Sequence, residues 1–405
     1  MIVSKNVNPP WLFGLLAMCN GVYYWGFSAL LIPYLLRRHG VPVDRIAEVA
    51  ATASIPWVWF FFWCPVVDLG LRLRTWILLS SGLASLCGLT VVLESAGSLT
   101  LVASFLFAGN VALTLGYAAI GALMSTLSPD VRGRASGWAQ AGNVGVGSLV
   151  GGATVWLADA VSLPVLGTIC AGLIFAPALA ALLVVENPHP PLAAGPLFSA
   201  LFHDVRDLLW SRRTGVGLVF LLSPVGAAAV GNLISGVGPD YHASGSEVAW
   251  ITGAAGGVFT GLGAALGGFI CDRVDRMTAY SLAGLLAALC GAWLMLGPAT
   301  PFTYGAGYAA YALSTGVAYT AFTALVLDVL GRRQRGAATG YSVLTALGTL
   351  PVVYMTWLDG VGYKHWGTRG LMGVDAAANG VAGMLLLLVA IYGVKRWNHL
   401  YRVTI

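Results

Sequence analysis

Residues 268–276 read GFICDRVDR, and residues 64–72 read CPVVDLGLR. Each stretch closes an apolar run with an aspartate, Asp272 or Asp68, and reaches an arginine four residues later. The two aspartates are 204 positions apart. A shared motif at the end of two apolar runs indicates that one part of the chain repeats another.

A second pair of motifs repeats at nearly the same offset. Residues 132–137 read RGRASG, and residues 335–340 read RGAATG, 203 positions later. Both stretches come just before or at the start of an apolar run. Two motifs in matching places, at nearly one offset, predict a duplicated chain with six apolar runs in each half.

The composition indicates that lipid surrounds these runs. Of the 405 residues, 58% are hydrophobic and 9% are charged, and the mean hydropathy is +0.81. A soluble domain carries roughly 25% charged residues, so a secreted enzyme, a nucleic-acid binder and a disordered scaffold are excluded. The net charge of +5 is spread over loops and forms no basic stripe, so no nucleic-acid partner is expected.

Twelve apolar runs reach the length of about 20 residues that a helix needs to cross a bilayer. They are 11–36, 46–67, 75–95, 99–127, 134–158, 163–185, 214–238, 247–271, 277–297, 301–328, 336–358 and 371–394. Each run is predicted to be helical, because backbone groups in lipid must form hydrogen bonds within the protein. The predicted fold is an all-α membrane protein, with twelve transmembrane helices in two pseudo-symmetric six-helix bundles.

The predicted N-terminal bundle is 1–186, the linker is 187–213, and the C-terminal bundle is 214–405. An amphipathic stretch at 197–210 predicts a helix on the cytoplasmic membrane surface. Sixteen Lys and Arg residues fall on the side of the termini and five on the other side, which predicts that both termini are cytoplasmic. We expect a monomer in a bacterial inner membrane, with the lipid bilayer and a small-molecule substrate as its partners.

The stretch 268–276 resembles the signature loop of the major facilitator superfamily. The N-terminal copy departs from this signature, because Cys64 stands where the glycine is expected. The aromatic-rich second span, which ends in WCPVVD at 63–68, is similar to the branch that holds muropeptide permeases, acetyl-coenzyme A transporters and certain siderophore importers. The resemblance implies alternating access around a central cavity, driven by protons.

The resemblance also implies a gate of charged residues at the inner side. A carboxylate there can pair with loop arginines and with the positive end of a neighbouring helix dipole. The implied gate residues are Asp68, Asp272, Arg273 and Arg276, with Arg132 and Arg335 in support and Arg72 at the matching N-terminal position. The alternative is that these charges only follow the cytoplasmic bias of basic residues.

Polar side chains within the spans are candidates for a neutral, hydrogen-bonding and aromatic cavity. They are Asn20, Tyr23, Tyr24, Asn110, Thr114, Tyr117, Gln140, Asn143, Asn232, Tyr308, Tyr311, Thr315 and Tyr319. An amide in hydrocarbon costs several kcal/mol unless it is paired, so these groups should face protein or water. The alternative is that they join helices to each other, with tyrosines at the membrane surfaces.

A proton-coupled carrier usually keeps a titratable group inside the membrane, but no carboxylate falls at the middle of a predicted span. Asp375, about one turn inside the last span, is the deepest. Glu48 and Asp159 are the other candidates for coupling, and Asp359 is predicted to lie near a helix end. Without coupling the protein would be a facilitator.

Glycines in spans five and eight predict close helix packing, either as a sliding seam between the halves or as ordinary contact. The cysteines form no Cys-x-x-Cys pair, and the histidines lie in loops or tails, so neither a metal nor another cofactor is expected. The sequence predicts a non-enzymatic secondary transporter of a muropeptide-like or siderophore-like solute. The alternatives are an acyl-coenzyme A transporter and, in another class, a membrane-embedded lipid-modifying enzyme.

Overall fold

The computed structural model describes residues 8–186, 212–331 and 336–402, and these residues form helices and no strand. We number twelve helical segments in chain order. The first six are α1 (Pro10–Arg38), α2 (43–68), α3 (Leu73–Leu93), α4 (Leu99–Ser125), α5 (129–157) and α6 (163–183). The last six are α7 (212–241), α8 (Gly245–Arg273), α9 (Arg276–Leu296), α10 (Pro301–Leu330), α11 (337–366) and α12 (368–402). The predicted linker helix at 197–210 lies outside the described residues.

The twelve segments follow the predicted runs, but α11 is longer than predicted. It contains the helix Ala337–Leu347 and continues from Leu350 without a loop at 358. The direction of the chain changes at Gly367, whose φ of 62° lies in the left-handed region that favours glycine. Gly367 therefore separates α11 from α12.

Segment α7 is broken, whereas the sequence predicts a continuous helix over 214–238. Helix Arg212–Leu221 ends before Pro224, and a short helix resumes at Val230–Leu233. Gly226 and Ala228 have positive φ angles of 78° and 51°. Pro224 has no N–H to donate, and positive φ angles end a right-handed helix, so this stretch is irregular.

Tyrosines from neighbouring segments satisfy backbone carbonyls at the break. The hydroxyl of Tyr280 donates to the carbonyl oxygen of Val225, and Tyr354 donates to that of Leu222 at 2.9 Å. Irregular backbone at membrane depth is tolerated where protein or a cavity surrounds it. The carbonyl groups at the break therefore have hydrogen-bond donors within the protein, which stabilise the irregular backbone.

The bundle has two ends, which we name by their charge. The basic end carries the loops after α2, α4, α8 and α10, with Arg72, Arg132 and Arg276. The opposite end carries the loops after α1, α3, α5, α7 and α9, together with Gly367. Four strongly exposed aromatic side chains lie near the opposite end, namely Trp156, Trp250, Phe302 and Trp366. Such aromatic rings mark a membrane interface.

Apolar side chains cover the outer face of the bundle. In α3, for example, Leu79, Leu83 and Leu86 follow helical spacing and are all more than half exposed. Buried positions of the same helix are small, such as Ser81, Ala84 and Gly88. A leucine face outside and small residues inside are typical of helices that pack within a bilayer. The chain is a multi-pass membrane protein.

The two halves meet along α5 and α8 and, on the other side of the molecule, where α11 packs against α2 and α4. Backbones approach closely in the first contact: a methyl group on Gly145 would lie 2.8 Å from the Cα of Gly261. In the second contact, the ring of Tyr341 packs against the backbone of α4 at Gly121. Small residues therefore permit the close approach of the halves.

Candidate functional site

A cavity with two lobes lies between the halves. The first lobe, of about 230 Å³, is bounded by α1, α5, α7, α8 and α10. The second, of about 380 Å³, is bounded mainly by α1, α2, α5, α7, α10 and α11. The lobes share the lining residues Trp25, Val144, Ala228, Asn232 and Tyr319, so they are parts of one cavity.

The cavity wall is uncharged. Among the residues that the structure describes, no Asp, Glu, Lys, Arg or His side chain lines either lobe. The lining consists of aromatic rings, amides, hydroxyls and small residues. Such a wall can hold a solute by hydrogen bonds and ring contacts but supplies no counter-charge for an ionised group.

A chain of side-chain amides crosses the second lobe from one half to the other. Asn20 of α1 donates to the Oδ1 of Asn143 at 3.1 Å, and Asn143 donates to the Oε1 of Gln140 at 3.5 Å. Gln140 of α5 then donates to the hydroxyl of Thr323 in α10 at 2.9 Å. The Oδ1 of Asn20 is buried without a hydrogen-bond partner in the described structure. The amides are therefore ordered, and one acceptor is left for a further donor.

Aromatic rings form the wall beside these amides. The ring of Trp57 lies with its centroid 5.3 Å from that of Tyr24 and 5.5 Å from that of Tyr117. Tyr117 in turn lies 5.6 Å from Tyr341, across the contact between the halves. These edge-on and tilted contacts are the favoured arrangements of aromatic pairs. The wall thus links α1, α2 and α4 to α11.

Ten of the thirteen predicted cavity residues line one or both lobes. They are Asn20, Tyr24, Tyr117, Gln140, Asn143, Asn232, Tyr308, Tyr311, Thr315 and Tyr319. Tyr23 points instead into the N-terminal half, with its hydroxyl 3.4 Å from the carbonyl oxygen of Phe105. Their role in solute binding stays a prediction.

Asn110 and Thr114 lie behind the aromatic wall and not in the lining of the two lobes. Asn110 accepts a hydrogen bond from the indole of Trp57 at 2.9 Å, and Thr114 accepts one from the indole of Trp63 at the same distance. Both side chains are fully buried. They fix the tryptophans of α2, and Trp57, which the sequence analysis did not place in the cavity, forms the wall.

The three predicted coupling carboxylates lie in different surroundings. Glu48 pairs with Arg45 at 2.7 Å and Asp159 with Arg38 at 3.1 Å, and both carboxylates are 62% exposed. Asp375 has no exposed surface and accepts a hydrogen bond from Tyr311 at 3.3 Å. Asp359, predicted to lie near a helix end, is equally buried.

Contacts between the halves close the basic end. The Oδ2 of Asp68 accepts hydrogen bonds from the backbone N–H and the hydroxyl of Thr339, at 2.9 and 2.6 Å. In the matching place, Asp272 accepts the backbone N–H of Arg134 at 3.3 Å and its guanidinium at 2.6 Å. Asp68 thus binds the first turn of helix Ala337–Leu347, where the helix dipole favours an anion. Asp272 binds helix Pro129–Gln140 one turn further in, at Arg134.

A third carboxylate, Asp328 at the end of α10, joins the halves between these two contacts. It pairs with Arg132 of α5 at 3.2 Å and also with Arg276 of α9. Arg132 is buried and donates to the carbonyl oxygens of Ser125 and Leu327 at 2.7 and 3.0 Å. The closed basic end therefore consists of polar side chains that are joined by hydrogen bonds and ion pairs, with Arg132 buried among them.

The other predicted gate residues lie elsewhere. Arg72 and Arg273 are exposed, and within the described ranges neither side chain forms a hydrogen bond or an ion pair. Arg335 lies outside the described residues. Arg134 and Asp328 are not among the predicted gate residues, although Arg134 belongs to the repeated motif and Asp328 precedes the second copy by only seven residues.

Two helical bundles around an uncharged cavity, closed at one end by contacts between the bundles, define the class of protein as one with the major facilitator fold. Solved structures with this fold match the chain over most of its length. The human organic anion transporter MFSD10 (TETRAN) is 15% identical, with a TM-score of 0.69, covering 94% of this chain and 100% of that chain.

Two sugar symporters are similar to the same degree. The E. coli fucose:proton symporter FucP is 14% identical, with a TM-score of 0.67 over 93% of this chain and 98% of its own. The proton:xylose symporter XylE, solved with 6-bromo-6-deoxy-D-glucose, is 14% identical, with a TM-score of 0.70 over 95% of each chain. The predicted fold class is confirmed.

No family profile and no curated protein sequence matches the chain. The prediction of a non-enzymatic protein agrees with the structural comparisons, because the three matched structures are those of transporters. The finer resemblance to the muropeptide permease branch stays a prediction, since none of the three is named for that branch.

Proposed function

We propose that the chain is a secondary transporter, which carries an uncharged polar organic solute by alternating access with proton coupling. The observation that supports this proposal best is the cavity between the halves, closed at the basic end by bonds that join one half to the other. Breaking these bonds would let the halves tilt and would expose the cavity at that end.

The bias of basic residues supports a cytoplasmic position of the basic end, with both termini on that side. In this orientation the described state is closed to the cytoplasm, and a solute would reach the cavity from outside. We therefore propose import across a bacterial inner membrane. In this scheme residues 1–186 and 214–405 are two bundles that tilt against each other, and residues 187–213 are the linker that connects them.

The cavity wall favours an uncharged sugar-amide solute, such as the N-acetylated sugar part of a muropeptide-like compound, because the wall supplies no counter-charge for free carboxyl groups. Amides and hydroxyls can exchange hydrogen bonds with sugar hydroxyls and acetamido groups, and aromatic rings can pack against the apolar faces of sugar rings. Acyl-coenzyme A fits less well, because its phosphates call for arginine or lysine in the wall. The likeness to two sugar symporters supports the same choice.

Thermal unfolding of the purified protein tests the solute class. We expect an uncharged N-acetylated disaccharide, N,N′-diacetylchitobiose, to raise the unfolding temperature. A ligand at 100 times its Kd stabilises the folded state by about 2.7 kcal/mol. Acetyl-coenzyme A and a hydroxamate siderophore are the comparison ligands. Stabilisation by either of these, without an effect of the disaccharide, would contradict the proposed solute.

Two neighbouring tyrosines provide a matched test of the cavity. Tyr24→Phe removes a hydroxyl from the cavity wall, and Tyr23→Phe removes one that points into the N-terminal half. Loss of one hydrogen bond to the solute, worth about 1.4 kcal/mol, weakens binding about tenfold. We expect this effect for Tyr24→Phe and for Asn143→Ala, measured by calorimetry. An equal effect of Tyr23→Phe would point to folding and not to binding.

A further inference from the structure

Two carboxylates lie together between α11 and α12, outside the cavity lining. Asp359 of α11 and Asp375 of α12 both have no exposed surface, and the two helices pack against each other beside them, where Gly362 contacts Gly370 and Val374. A pair of acidic side chains thus occupies a tight, dry contact between two helices.

The oxygens of this pair lack partners. Both carboxylate oxygens of Asp359 and the Oδ2 of Asp375 are buried without a hydrogen bond in the described structure. The Oδ1 of Asp375 accepts a hydrogen bond from the hydroxyl of Tyr311 at 3.3 Å, and the amide of Asn379, one turn along the same helix, donates to the backbone carbonyl oxygen of Asp375 at 3.0 Å. Buried polar atoms in folded proteins nearly always form hydrogen bonds, so three buried carboxylate oxygens without a donor are unusual.

No positive charge compensates the pair among the described residues that face it. The titratable side chain that reaches it from α10 is Tyr311, α9 contributes Cys290 to the neighbouring apolar cluster, and α7 contributes Tyr241. On α11 and α12 the nearest basic side chains, Lys364 and Arg369, are exposed at the opposite end. The charged ends of α9 and α10, Arg276 and Asp328, pair with each other at the basic end.

Two ionised carboxylates in such a place would be very costly, because an isolated buried charge loses its hydration without compensation. A carboxyl group avoids this cost by holding a proton, and two neighbouring carboxylates hold it more readily than one. The buried pair therefore needs a bound proton or another bound cation to compensate its negative charge.

Tyr311 connects this pair to the cavity. Its ring lines the first lobe, and its hydroxyl donates to Asp375 behind the wall. A solute that moves the ring of Tyr311 changes the hydrogen bond to Asp375, and loss of the proton from Asp375 changes the position of the hydroxyl. The two binding events are thus linked through one side chain.

We propose that Asp359 and Asp375 form the proton-binding site of this transporter and that Tyr311 couples it to the solute. This proposal rests on the proposed transport function and adds the location of coupling to it. An O–H bond forms on the pair when a proton arrives from water on one side, and it breaks when the proton leaves to water on the other side. No other reactant is consumed.

Infrared difference spectroscopy of the purified protein during a pH titration tests the site without a known solute. We expect a C=O stretching band of a protonated carboxyl group that shifts in D2O. The band should be lost in Asp359→Asn and Asp375→Asn and kept in Asp159→Asn, whose carboxylate is exposed. Tyr311→Phe should keep the band and shift its frequency, and this variant leaves both carboxyl groups in place.

Two results would overturn the site. One is a band that persists unchanged in both Asp359→Asn and Asp375→Asn, or no band in the wild-type protein. The other is a band that sodium chloride removes at constant pH while choline chloride does not, since the pair would then bind sodium in place of a proton.

Uptake into proteoliposomes tests coupling separately, with the uncharged radiolabelled N,N′-diacetylchitobiose as the probe. We expect Asp375→Asn to lose proton-driven accumulation and to keep exchange of internal for external probe. Proton-driven accumulation that survives in both aspartate variants would overturn the coupling role. If the wild-type protein shows the infrared band but transports no probe, the proposed solute is wrong and the proton site stands.

Discussion

At the scale of the residue, the closed end depends on where two carboxylates find their partners. Asp68 accepts a backbone N–H from the first turn of a helix in the other half, and Asp272 accepts one from the second turn of a helix, together with the guanidinium of Arg134. A free N–H at a helix start has no partner within its own helix, so Asp68 satisfies a group that closure would otherwise bury unpaired. The same residues thus stabilise closure in two symmetric places.

The first prediction concerns these carboxylates. Asp68→Asn and Asp272→Asn each remove a negative charge that binds a helix of the other half. For Asp68, at the first turn, the interaction with the helix dipole is worth about 0.3–1 kcal/mol. We expect both variants to open the basic end more often and to lower uptake, with normal amounts of protein in the membrane. Asp272→Asn should have the larger effect, because it also loses the ion pair with Arg134.

Uptake assays with membrane fractions quantified by immunoblot measure this effect. Glu94→Gln, at the opposite end, is the control for removal of a carboxylate from a loop. Wild-type uptake in both aspartate variants would contradict a role of these residues in the transport cycle.

The sequence indicates both aspartates but not Arg134, the arginine that pairs with Asp272. Arg132 and Arg134 belong to one motif, and residues two apart point to nearly opposite faces of a helix. In the structure Arg132 points inward to carbonyl oxygens, and Arg134 faces Asp272 of α8. The motif alone does not give the rotation of α5 about its axis, so the choice between the two required the packed structure.

At the scale of the element, the largest difference from prediction concerns the end of α11. The polar cluster at 364–369, with Lys364, His365 and Arg369, is typical of a loop, so the sequence analysis ended the span at 358. The helix instead continues to Gly367 and carries these polar residues beyond the apolar contact. Asp359 consequently lies inside the bundle and not at a helix end.

The broken segment α7 was missed for another reason. Its apolar length predicts a continuous span, and hydropathy does not register a helix break. The signal was present in Pro224 and Gly226, which are residues that end helices. Because Ala228 lines both lobes, the break also shapes the cavity.

The second prediction tests this break with two substitutions that should shift the unfolding temperature in opposite directions. Ala228 has a φ of 51°, a conformation that costs a residue with a Cβ roughly 1–2 kcal/mol. Ala228→Gly should therefore raise the unfolding temperature. Gly226→Ala should lower it, because Gly226 has a φ of 78° and a Cβ there would lie 2.9 Å from the hydroxyl of Tyr280.

Thermal unfolding in detergent, followed by the fluorescence of a thiol dye, measures both shifts. Gly152→Ala is the matched control, because a Cβ at Gly152 meets nothing within 4 Å. Destabilisation by Ala228→Gly would show that the left-handed conformation at this position is not the one that the folded protein adopts.

At the scale of the whole molecule, the duplication and the number of spans follow from the sequence, because apolar length and repeated loops are local signals. The residues that line the cavity can be predicted from the sequence only in part. Amides within spans must face protein or water, which indicates Asn20 and Asn143, and both side chains lie in the lining of the second lobe. The same rule does not distinguish them from Asn110, which faces protein, and here the arrangement of neighbouring helices decides.

The third prediction concerns access to the cavity. All six native cysteines are buried, so an introduced thiol can be labelled selectively. Asn232→Cys lies in both lobes and should react with a membrane-impermeant maleimide applied from the opposite end. Ser136→Cys, which is fully buried between the halves at the basic end, should react slowly from either side.

Labelling of intact cells and of inverted vesicles compares the two sides. Asp272→Asn in the same background should increase the reactivity of Ser136→Cys from the cytoplasmic side, since it weakens closure. Equal and rapid labelling of both cysteines from the cytoplasmic side would contradict the described closed state.

The uncharged wall of the cavity has an electrical consequence. A neutral guest that travels with one proton moves a single positive charge across the bilayer in each cycle, so the membrane voltage itself becomes a driving force. Each 100 mV supplies about 2.3 kcal/mol per charge moved, enough for roughly fiftyfold accumulation even when the two compartments have the same acidity. When solute is added to a protein-containing membrane on a sensor electrode, we therefore expect a transient current. Asp375→Asn should abolish this current.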